Sequence, residues 1–408
     1  MLKRASRCAN AAHGTHLTDY SDETPMPSPE TLVDELRRRG DLRDARVAEA
    51  FLSIPRAAFL PGLPLEQVYS DEAIATKRDP NGTVISSSSQ PSMMVLMLEQ
   101  LRIKPGQNIL EIGTGTGYNA AIMQYLVGER GHITTIELDP QLAETAMANL
   151  QRVAMGSLVR VVQADGAGGF APRASYDRII ATAGIWDVPR TWVQQLKPRG
   201  IIVAPFWLEG FQYSAAFHLQ PDGTLYSEHN LPCGFIRLKG AAVGDDMTYR
   251  IGNSLYLQAS GSIDPVQIEM LLSNDADTAY LGYSLTPQDY TFSVIPYLAL
   301  NLPENLTLAA YGVLDDAQPY GIDSGGFAII GRGTACFVTA RGNGKGYSFG
   351  SADAILVMQD ILTRWNYAGR PRLERLRLRL SPISAGHPSG ARGRVFQRRD
   401  HYVEAWFA

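Results

Sequence analysis

The chain has 408 residues, of which 45% are hydrophobic and 19% charged, a composition typical of a globular protein with two or three domains. Its formal net charge of −4 argues against a general electrostatic attraction to nucleic acid or anionic lipid. No uncharged apolar segment approaches the roughly 20 residues of a membrane-spanning helix, so neither nucleic acid nor membrane is expected as a partner.

Order is predicted to begin at residue 27, because residues 1–26 are small, polar and aperiodic and are typical of a disordered leader. Ser28 and Pro29 provide an N-cap and a proline at the first helical position. A second helix is expected from about Asp44 to Ser53, where the following Ile54-Pro55 ends it.

From about residue 93 the pattern alternates between helices and short apolar strands. Continuous apolar strands separated by helices predict a parallel sheet with helices on both faces. Residues 211–219 are expected to continue this sheet in the antiparallel sense. The five predicted parallel strands are residues 108–112, 132–138, 159–165, 176–183 and 200–206.

After about Gly240 the regular alternation stops, and strand-like segments mix with two helices. One of these helices should begin after an N-cap at Asp264 with Pro265 in its first turn. The segment ERLRLRL, residues 374–380, alternates strictly and predicts a strand with one arginine face. We therefore expect a first domain over residues 27–240 and a separate α+β domain over residues 241–408.

The stretch LEIGTGTGYNA, residues 110–120, has the glycine spacing of a nucleotide-cofactor turn between a strand and a helix. A dinucleotide fingerprint would require glycine at position 118, where the chain has Tyr118. The carboxylate of Glu111 would also repel a pyrophosphate. Glu137, at the end of the next strand, can accept hydrogen bonds from ribose hydroxyls, and Asp165 and Gly166 can border an adenine ring. These features favour S-adenosylmethionine over the alternative of a tight turn without a ligand.

The acceptor of the methyl group is less directly encoded. Methyltransferases acting on amino groups often carry a [DN]PP[YF] tetrapeptide after the fourth strand, where this chain reads ATAG at residues 181–184. A carboxylate is already ionised at neutral pH and needs orientation rather than a general base. The four serines at positions 86–89 could supply orienting hydroxyl groups. The alternative interpretation of this serine run is a flexible polar linker.

Four segments together resemble the protein-L-isoaspartate O-methyltransferases, over about residues 28–240. They are DARVAEAFLSIPRAAFLPG (44–62), SQPSMMVLML (89–98), LEIGTGTGYNAA (110–121) and GFIRLKG (234–240). The resemblance implies a Rossmann-like class I methyltransferase that uses S-adenosylmethionine. It places Ser89 at the active-site serine, and Gln90, Pro91, Ser92 and Arg237 around the substrate. The implied cofactor positions are Glu111, Gly113, Thr114, Gly115, Gly117, Asn119, Glu137, Leu138, Asp165 and Gly166.

This chain departs from the family pattern in two places. Ser86, Ser87 and Ser88 intervene between Ile85 and the family's serine position, so Ser87 and Ser88 also remain candidates for contacting the carboxylate. The second departure is an extra C-terminal region of about 170 residues, and the combination of SSSSQP with this long extension resembles the family members associated with ribosomal peptide natural products. Those members methylate an aspartate of a modified precursor peptide, and the ester then closes to an aspartimide. The alternatives are a repair enzyme for isoaspartyl residues and a cofactor-binding module that has lost its chemistry.

Three further features bear on partners and location. Ten arginines lie between Arg364 and Arg399, either as a solvated strand face or as a basic surface for an acidic, cyclised peptide. The three cysteines and seven histidines show no metal-ligand spacing, so no metal site is expected. The dispersed cysteines also predict reduced thiols in a cytoplasmic protein.

Overall fold

The computed structural model describes residues 26–244, 247–313, 319–322, 325–340 and 344–408. The segment predicted as a disordered leader lies outside the described residues, apart from Met26. Within the described ranges, no helix combines the length and the apolar composition needed to cross a membrane.

Helices and strands alternate in the first half of the chain, and strands dominate the second half. The helices are α1 (Pro29–Arg39), α2 (Ala45–Ser53), α3 (Leu65–Val68), α4 (Pro91–Leu101), α5 (Tyr118–Val127), α6 (Pro140–Arg152), α7 (Arg190–Gln195), α8 (Pro265–Leu272), α9 (Pro287–Asp289), α10 (Ile295–Asn301) and α11 (Asp353–Tyr367). The strands are β1 (Ile74–Arg78), β2 (Val84–Ser88), β3 (Asn108–Ile112), β4 (His132–Glu137), β5 (Val159–Gln163), β6 (Tyr176–Ala181), β7 (Leu196–Leu208), β8 (Phe211–Leu219), β9 (Leu225–Ser227), β10 (Asn230–Cys233), β11 (Thr248–Ile251), β12 (Leu255–Ala259), β13 (Asp277–Tyr280), β14 (Thr307–Val313), β15 (Gly325–Gly331), β16 (Thr334–Thr339), β17 (Lys345–Gly350), β18 (Leu376–Pro382), β19 (Arg394–Gln397) and β20 (His401–Phe407).

The predicted helix starts are confirmed. The Ser28 hydroxyl accepts a hydrogen bond from the Thr31 N–H, the Asp44 carboxylate caps α2, and the Asp264 carboxylate caps α8. Each cap satisfies backbone N–H groups that have no partner within the helix. Local sequence therefore determines where these helices begin.

The five predicted parallel strands form one end of an eleven-stranded sheet, in the order β7-β6-β3-β4-β5 with β5 at the edge. In this sheet β3 pairs in parallel with β4 and β6, β4 pairs with β5, and β6 pairs with β7. β8 then runs antiparallel to β7, as predicted. Alternate strand residues such as Ile109 and Leu110 enter two separate cores, so helices cover both faces of the sheet. The predicted Rossmann-like architecture is confirmed.

The predicted boundary at residue 240 needs a correction for the last part of the chain. Residues 376–380 of ERLRLRL lie in β18, but β18 pairs with β9 and β20, and so it belongs to the first sheet rather than to a separate domain. Leu376, Leu378 and Leu380 alternate with the arginines and join the core of the catalytic sheet. Their burial explains why the chain returns, because the edge strand β9 and the apolar leucine face both gain a partner.

Residues 248–350 form the second sheet, which has seven antiparallel strands in the order β11-β12-β14-β15-β16-β17-β13. Its two faces are covered by α8 on one side and by α10 and α11 on the other. The turn between β7 and β8 reaches this sheet, since a Cβ at Gly210 would lie 3.4 Å from the carbonyl oxygens of Gln258 and Leu308. The two sheets are thus in direct contact.

Most of the C-terminal arginines make contacts within the fold. The guanidinium group of Arg394 donates to the Ala299 carbonyl, that of Arg398 lies 4.4 Å from the centre of the Trp186 ring, and that of Arg377 donates to the Glu374 carbonyl. Five strand spacings separate β18 from β3, which amounts to about 24 Å. The β18 arginines are therefore remote from the glycine turn.

Candidate active site

A cleft of about 640 Å³ opens where β3, β4 and β6 end. Its floor is the glycine turn after β3. The hairpin of β1 and β2 forms one wall, and residues 232–239 form the opposite wall. The carboxyl ends of parallel strands are the usual ligand site of such sheets.

Gly113 leaves no room for a side chain at the bottom of the cleft. Its φ is +95°, and a Cβ there would lie 2.7 Å from the hydroxyl oxygen of Thr182. That hydroxyl donates to the Gly113 carbonyl at 2.6 Å, which ties the end of β6 to the turn. No pattern in the sequence indicates the role of Thr182, because this role depends on the pairing of β3 with β6.

Glu111 supports the turn from below rather than facing the cleft. Its carboxylate is fully buried and accepts hydrogen bonds from the Thr135 hydroxyl at 2.6 Å and from the Asn119 amide at 2.8 Å. The Thr135 hydroxyl also lies 2.8 Å from that of Thr114. Burial raises the pKa of Glu111 to about 7, although both hydrogen bonds oppose this shift.

The raised pKa of Glu111 predicts a pH-dependent stability. Folding favours the protonated form, so the stabilisation is complete below pH 4.5 and is lost as the pH rises through about 7. We expect Glu111→Gln, which cannot ionise, to remove this loss, which is worth on the order of 3 kcal/mol. Urea unfolding of both proteins from pH 5 to pH 8, at roughly unit intervals, measures it. Parallel stability curves would show that Glu111 does not titrate in this range.

Glu137 and its neighbours form the rim at the end of β4. The Glu137 carboxylate accepts hydrogen bonds from the N–H groups of Gly115 at 3.0 Å and Asp139 at 3.2 Å. Leu138 also lines the cleft. The ammonium group of Lys77 lies 2.6 Å from the Asp139 carboxylate, and its hydrogen bond holds the pKa of Asp139 below its usual range. This ion pair fastens the β1–β2 hairpin to the rim.

Two further predicted cofactor residues, Asp165 and Gly117, support the cleft and do not line it. The Asp165 carboxylate accepts from the N–H groups of Ala167 at 2.9 Å and Ala241 at 2.7 Å, and only its neighbour Gly166 lines the cleft. Gly117 packs against α6, where an added Cβ would lie 3.4 Å from Ala146. Through these contacts, Asp165 and Gly117 hold together the segments that surround the cleft.

The serine run is not a linker, because Ser86, Ser87 and Ser88 lie in β2. Side chains alternate between the two faces of a strand. Ser86 and Ser88 are buried, and their hydroxyl oxygens accept hydrogen bonds from the Thr76 hydroxyl and the Arg56 guanidinium group. All four serines border the cleft, but Ser87 and Ser89 are only half-buried, and within the described residues neither of their hydroxyls has a hydrogen-bond partner.

Arg56 organises this wall, a role that its position in the sequence does not predict. Its side chain is 0% exposed and donates to the carbonyl oxygens of Val68 at 2.8 Å and Ser89 at 3.0 Å, besides the Ser88 hydroxyl. Burial lowers the pKa of Arg56 from its ordinary value. The only sequence signal was an arginine directly after Ile54-Pro55, inside an apolar stretch.

Of the residues that follow the serine run, Gln90 lines the cleft, whereas Pro91 and Ser92 support it. Gln90 lines the cleft, and its amide donates to the Asp71 carboxylate at 3.1 Å. The same carboxylate accepts from the Ser92 N–H at 2.8 Å. Pro91 and Ser92 are buried in the first turn of α4 and do not line the cleft, contrary to the prediction that they shape the substrate pocket.

The wall of residues 232–239 contains two cationic side chains, Arg237 and Lys239. It is attached to the end of β6, because the Gly184 N–H donates to the Ile236 carbonyl and the Leu238 N–H donates to the Gly184 carbonyl, both at 2.8 Å. The guanidinium carbon of Arg237 lies 5.5 Å from the centre of the Trp207 ring. Lys239 is exposed at the rim and was not singled out from the sequence.

Residues 28–242, slightly more than half of the chain, match the family model described as protein-L-isoaspartate(D-aspartate) O-methyltransferase. The chain belongs to this family. The isoaspartate O-methyltransferase of Methanopyrus kandleri is 37% identical over 211 residues, which cover 52% of this chain and 91% of that protein. The enzyme of the same name from Hyperthermus butylicus is 37% identical over 216 residues, covering 51% and 87%.

A solved protein-L-isoaspartate O-methyltransferase matches more of the chain than the family region alone. It is 25% identical with a TM-score of 0.51, and the match covers 86% of this methyltransferase and 96% of the solved chain. Structural similarity to this enzyme therefore extends past residue 242.

The enzyme is an S-adenosylmethionine-dependent O-methyltransferase. The structure fits this cofactor at three points: the glycine turn, where a Cβ at Gly113 would fill the space, the Glu137 carboxylate, and the surface of Gly166. Leu138 and Thr182 complete the lining at this end of the cleft. These residues would hold the nucleoside and the methionine portion.

Proposed function

We propose that the enzyme methylates the side-chain carboxylate of an aspartate in a cyclised ribosomal precursor peptide, and that the ester closes to an aspartimide. Carboxylate methylation is supported by two serines of the cleft, Ser87 and Ser89, whose hydroxyls have no hydrogen-bond partner within the described residues. The other wall of the cleft carries the cationic side chains of Arg237 and Lys239. The proposal of a constrained precursor rests on the run of four serines together with the C-terminal extension, as in the members that this chain resembles.

The residues lining the cleft are suited to an acceptor that is already ionised. S-adenosylmethionine, when bound, supplies an electrophilic methyl group on a positively charged sulfur. Ser87 and Ser89 can donate hydrogen bonds to the carboxylate and direct one oxygen towards this methyl group, which is the positioning that such a transfer needs. Burial raises the pKa of Cys233 to about 12, so the cysteine on the opposite wall stays a neutral thiol.

The chemistry that follows methylation belongs to the substrate. Methylation replaces a poor leaving group with methoxide, and the backbone nitrogen of the next residue can attack the ester carbonyl. The new C–N bond forms as the C–O bond breaks, and the amide proton leaves with methoxide as methanol. The product is the starting peptide minus one water.

Repair of isoaspartyl residues in damaged proteins is the second candidate. It is favoured by the names of the relatives and by the solved isoaspartate methyltransferase that matches most of the chain. A repair enzyme accepts flexible peptides, so its affinity must come from contacts close to the acceptor. A biosynthetic enzyme must select one aspartate, which requires contacts remote from the carboxylate.

Three peptides would distinguish the two functions under identical conditions: a cyclised precursor with a normal aspartate, its linear form, and a simple isoaspartyl peptide. We expect methylation of the cyclised precursor, followed by a product one water lighter, with little turnover of the other two. Mass spectrometry measures all three. Efficient methylation of the isoaspartyl peptide without turnover of the precursor would establish repair instead. Cofactor binding without turnover of any peptide would favour a module that has lost its chemistry.

A further inference from the structure

The tight turn between β19 and β20, residues 398–401, lies against the segments that build the cleft. We call it the C-terminal clamp. Asp400 is 213 residues distant in sequence from Asp187, yet its N–H donates to the Asp187 carboxylate at 2.6 Å. We infer that the clamp positions the wall of residues 232–239 and the cofactor end of the cleft, and that His401 and Arg399 are positioning residues for the reaction.

The first contact fixes the segment that follows β6. The Asp187 carboxylate accepts hydrogen bonds from Nδ1 of His401 at 2.9 Å and from the His401 N–H at 3.2 Å. Both side chains are buried, at 7% exposure for Asp187 and 3% for His401. Asp187 lies three residues after Gly184, whose backbone pairs with the wall that carries Arg237. A shift of this segment would therefore move the wall of residues 232–239.

The second contact fixes residues 241–243, which follow the wall of residues 232–239. The guanidinium group of Arg399 donates to the carbonyl oxygens of Ala241 and Val243. The Ala241 N–H donates in turn to the Asp165 carboxylate, next to Gly166 in the cofactor end of the cleft. Arg399 thus acts on the cofactor side through one intervening segment.

A third contact connects the clamp to the rest of the extension. The Arg398 guanidinium group lies over the Trp186 ring and 3.6 Å from the Glu209 carboxylate, in the β7–β8 turn that meets the second sheet. Loops at an active site need rigid support, because small displacements of positioned groups reduce catalysis strongly. The C-terminal segment provides that support here, which gives it a role in methyl transfer whatever peptide is the acceptor.

The test compares His401→Ala with His401→Asn in the full-length protein. The amide nitrogen of asparagine can replace Nδ1 of the imidazole as the donor to Asp187. We expect His401→Ala to raise the Kd for S-adenosylmethionine roughly three- to tenfold, with faster amide exchange in residues 182–188 and 236–243. His401→Asn should restore both properties to within about twofold of the wild type. Calorimetry and hydrogen exchange measure these effects without a known acceptor.

Ser293→Ala is the matched control. The Ser293 hydroxyl is buried beside the second sheet, where it accepts from the Trp365 indole at 2.8 Å and donates to the Pro371 carbonyl at 2.6 Å. Loss of the Ser293 hydroxyl should lower Tm about as much as His401→Ala does, and it should leave the Kd for S-adenosylmethionine unchanged. An unchanged Kd and unchanged exchange in His401→Ala would overturn the inference. An equal rise of Kd in Ser293→Ala would overturn it as well, because general destabilisation would then explain the effect.

Discussion

Ser89→Ala is expected to lower kcat roughly ten- to thousandfold, the range seen when one positioned hydrogen-bond donor is removed from a reacting group. The Ser89 hydroxyl lines the cleft, and within the described part of the chain it has no other partner. Ser87→Ala should act in the same direction, because Ser87 lies on the same face two residues earlier. The affinity for S-adenosylmethionine should hardly change, since neither substitution alters the backbone of the glycine turn or the side chains of Glu137 and Leu138.

Ser86→Ala and Ser88→Ala are the controls for the serine run. Both hydroxyls are buried and already accept a hydrogen bond, from Thr76 and Arg56 respectively. Arg56 keeps its backbone acceptors when Ser88 is changed, so we expect kcat to fall no more than about threefold. Steady-state kinetics on the preferred peptide, with calorimetry of cofactor binding, measures all four variants. If Ser88→Ala proves the most damaging of them, the buried face of β2 contacts the carboxylate and the proposed register is wrong.

Gly113→Ala is expected to weaken S-adenosylmethionine binding at least about a hundredfold without unfolding the protein. The added Cβ would lie 2.7 Å from the Thr182 hydroxyl, so the turn or the end of β6 must shift. Alanine also disfavours the positive φ at this position, by roughly 1–2 kcal/mol. Because both segments line the cleft, the displacement falls on the cofactor site.

Gly106→Ala separates backbone strain from steric block. Gly106 also has a positive φ, +78°, but an added Cβ would meet nothing within 4 Å, and the residue does not line the cleft. We expect a modest loss of stability and an unchanged Kd for this variant. Adding Thr182→Ala to Gly113→Ala should recover part of the lost affinity, since the nearest clashing atom is removed. Wild-type affinity in Gly113→Ala, measured by calorimetry, would contradict the assignment of the glycine turn as the cofactor site.

The local features of this enzyme could be predicted from its sequence. The parallel strands were evident as short apolar segments between helical ones, and the helix starts were evident from Ser28, Asp44 and Asp264. The glycine turn predicted the methyl-donor end of the cleft, because positive φ angles and close packing at residues 113–117 require glycine. These features depend on a few consecutive residues, and so periodicity and turn chemistry report them.

The serine run marks the limit of such reasoning. Its four residues are identical in type, and only the folded hairpin shows that Ser86 and Ser88 are buried whereas Ser87 and Ser89 are half-buried. The buried partners that hold this wall, Arg56 and Asp71, come from segments that the sequence does not connect with it. A side chain's role there depends on which face of the strand it occupies and on what is packed behind that face.

The end of the chain was decided by tertiary structure alone. Strict alternation predicted a strand over residues 374–380, and the observed strand is Leu376–Pro382. Alternation does not determine which sheet edge such a strand joins. The free edge was β9 of the catalytic sheet, and the leucines of β18 completed its core. The pairing of β18 with β9 and β20 brings His401 to Asp187. Sequence fixes local conformation through neighbouring residues, whereas the partners of an edge strand and of a buried charge are selected by packing across the whole chain.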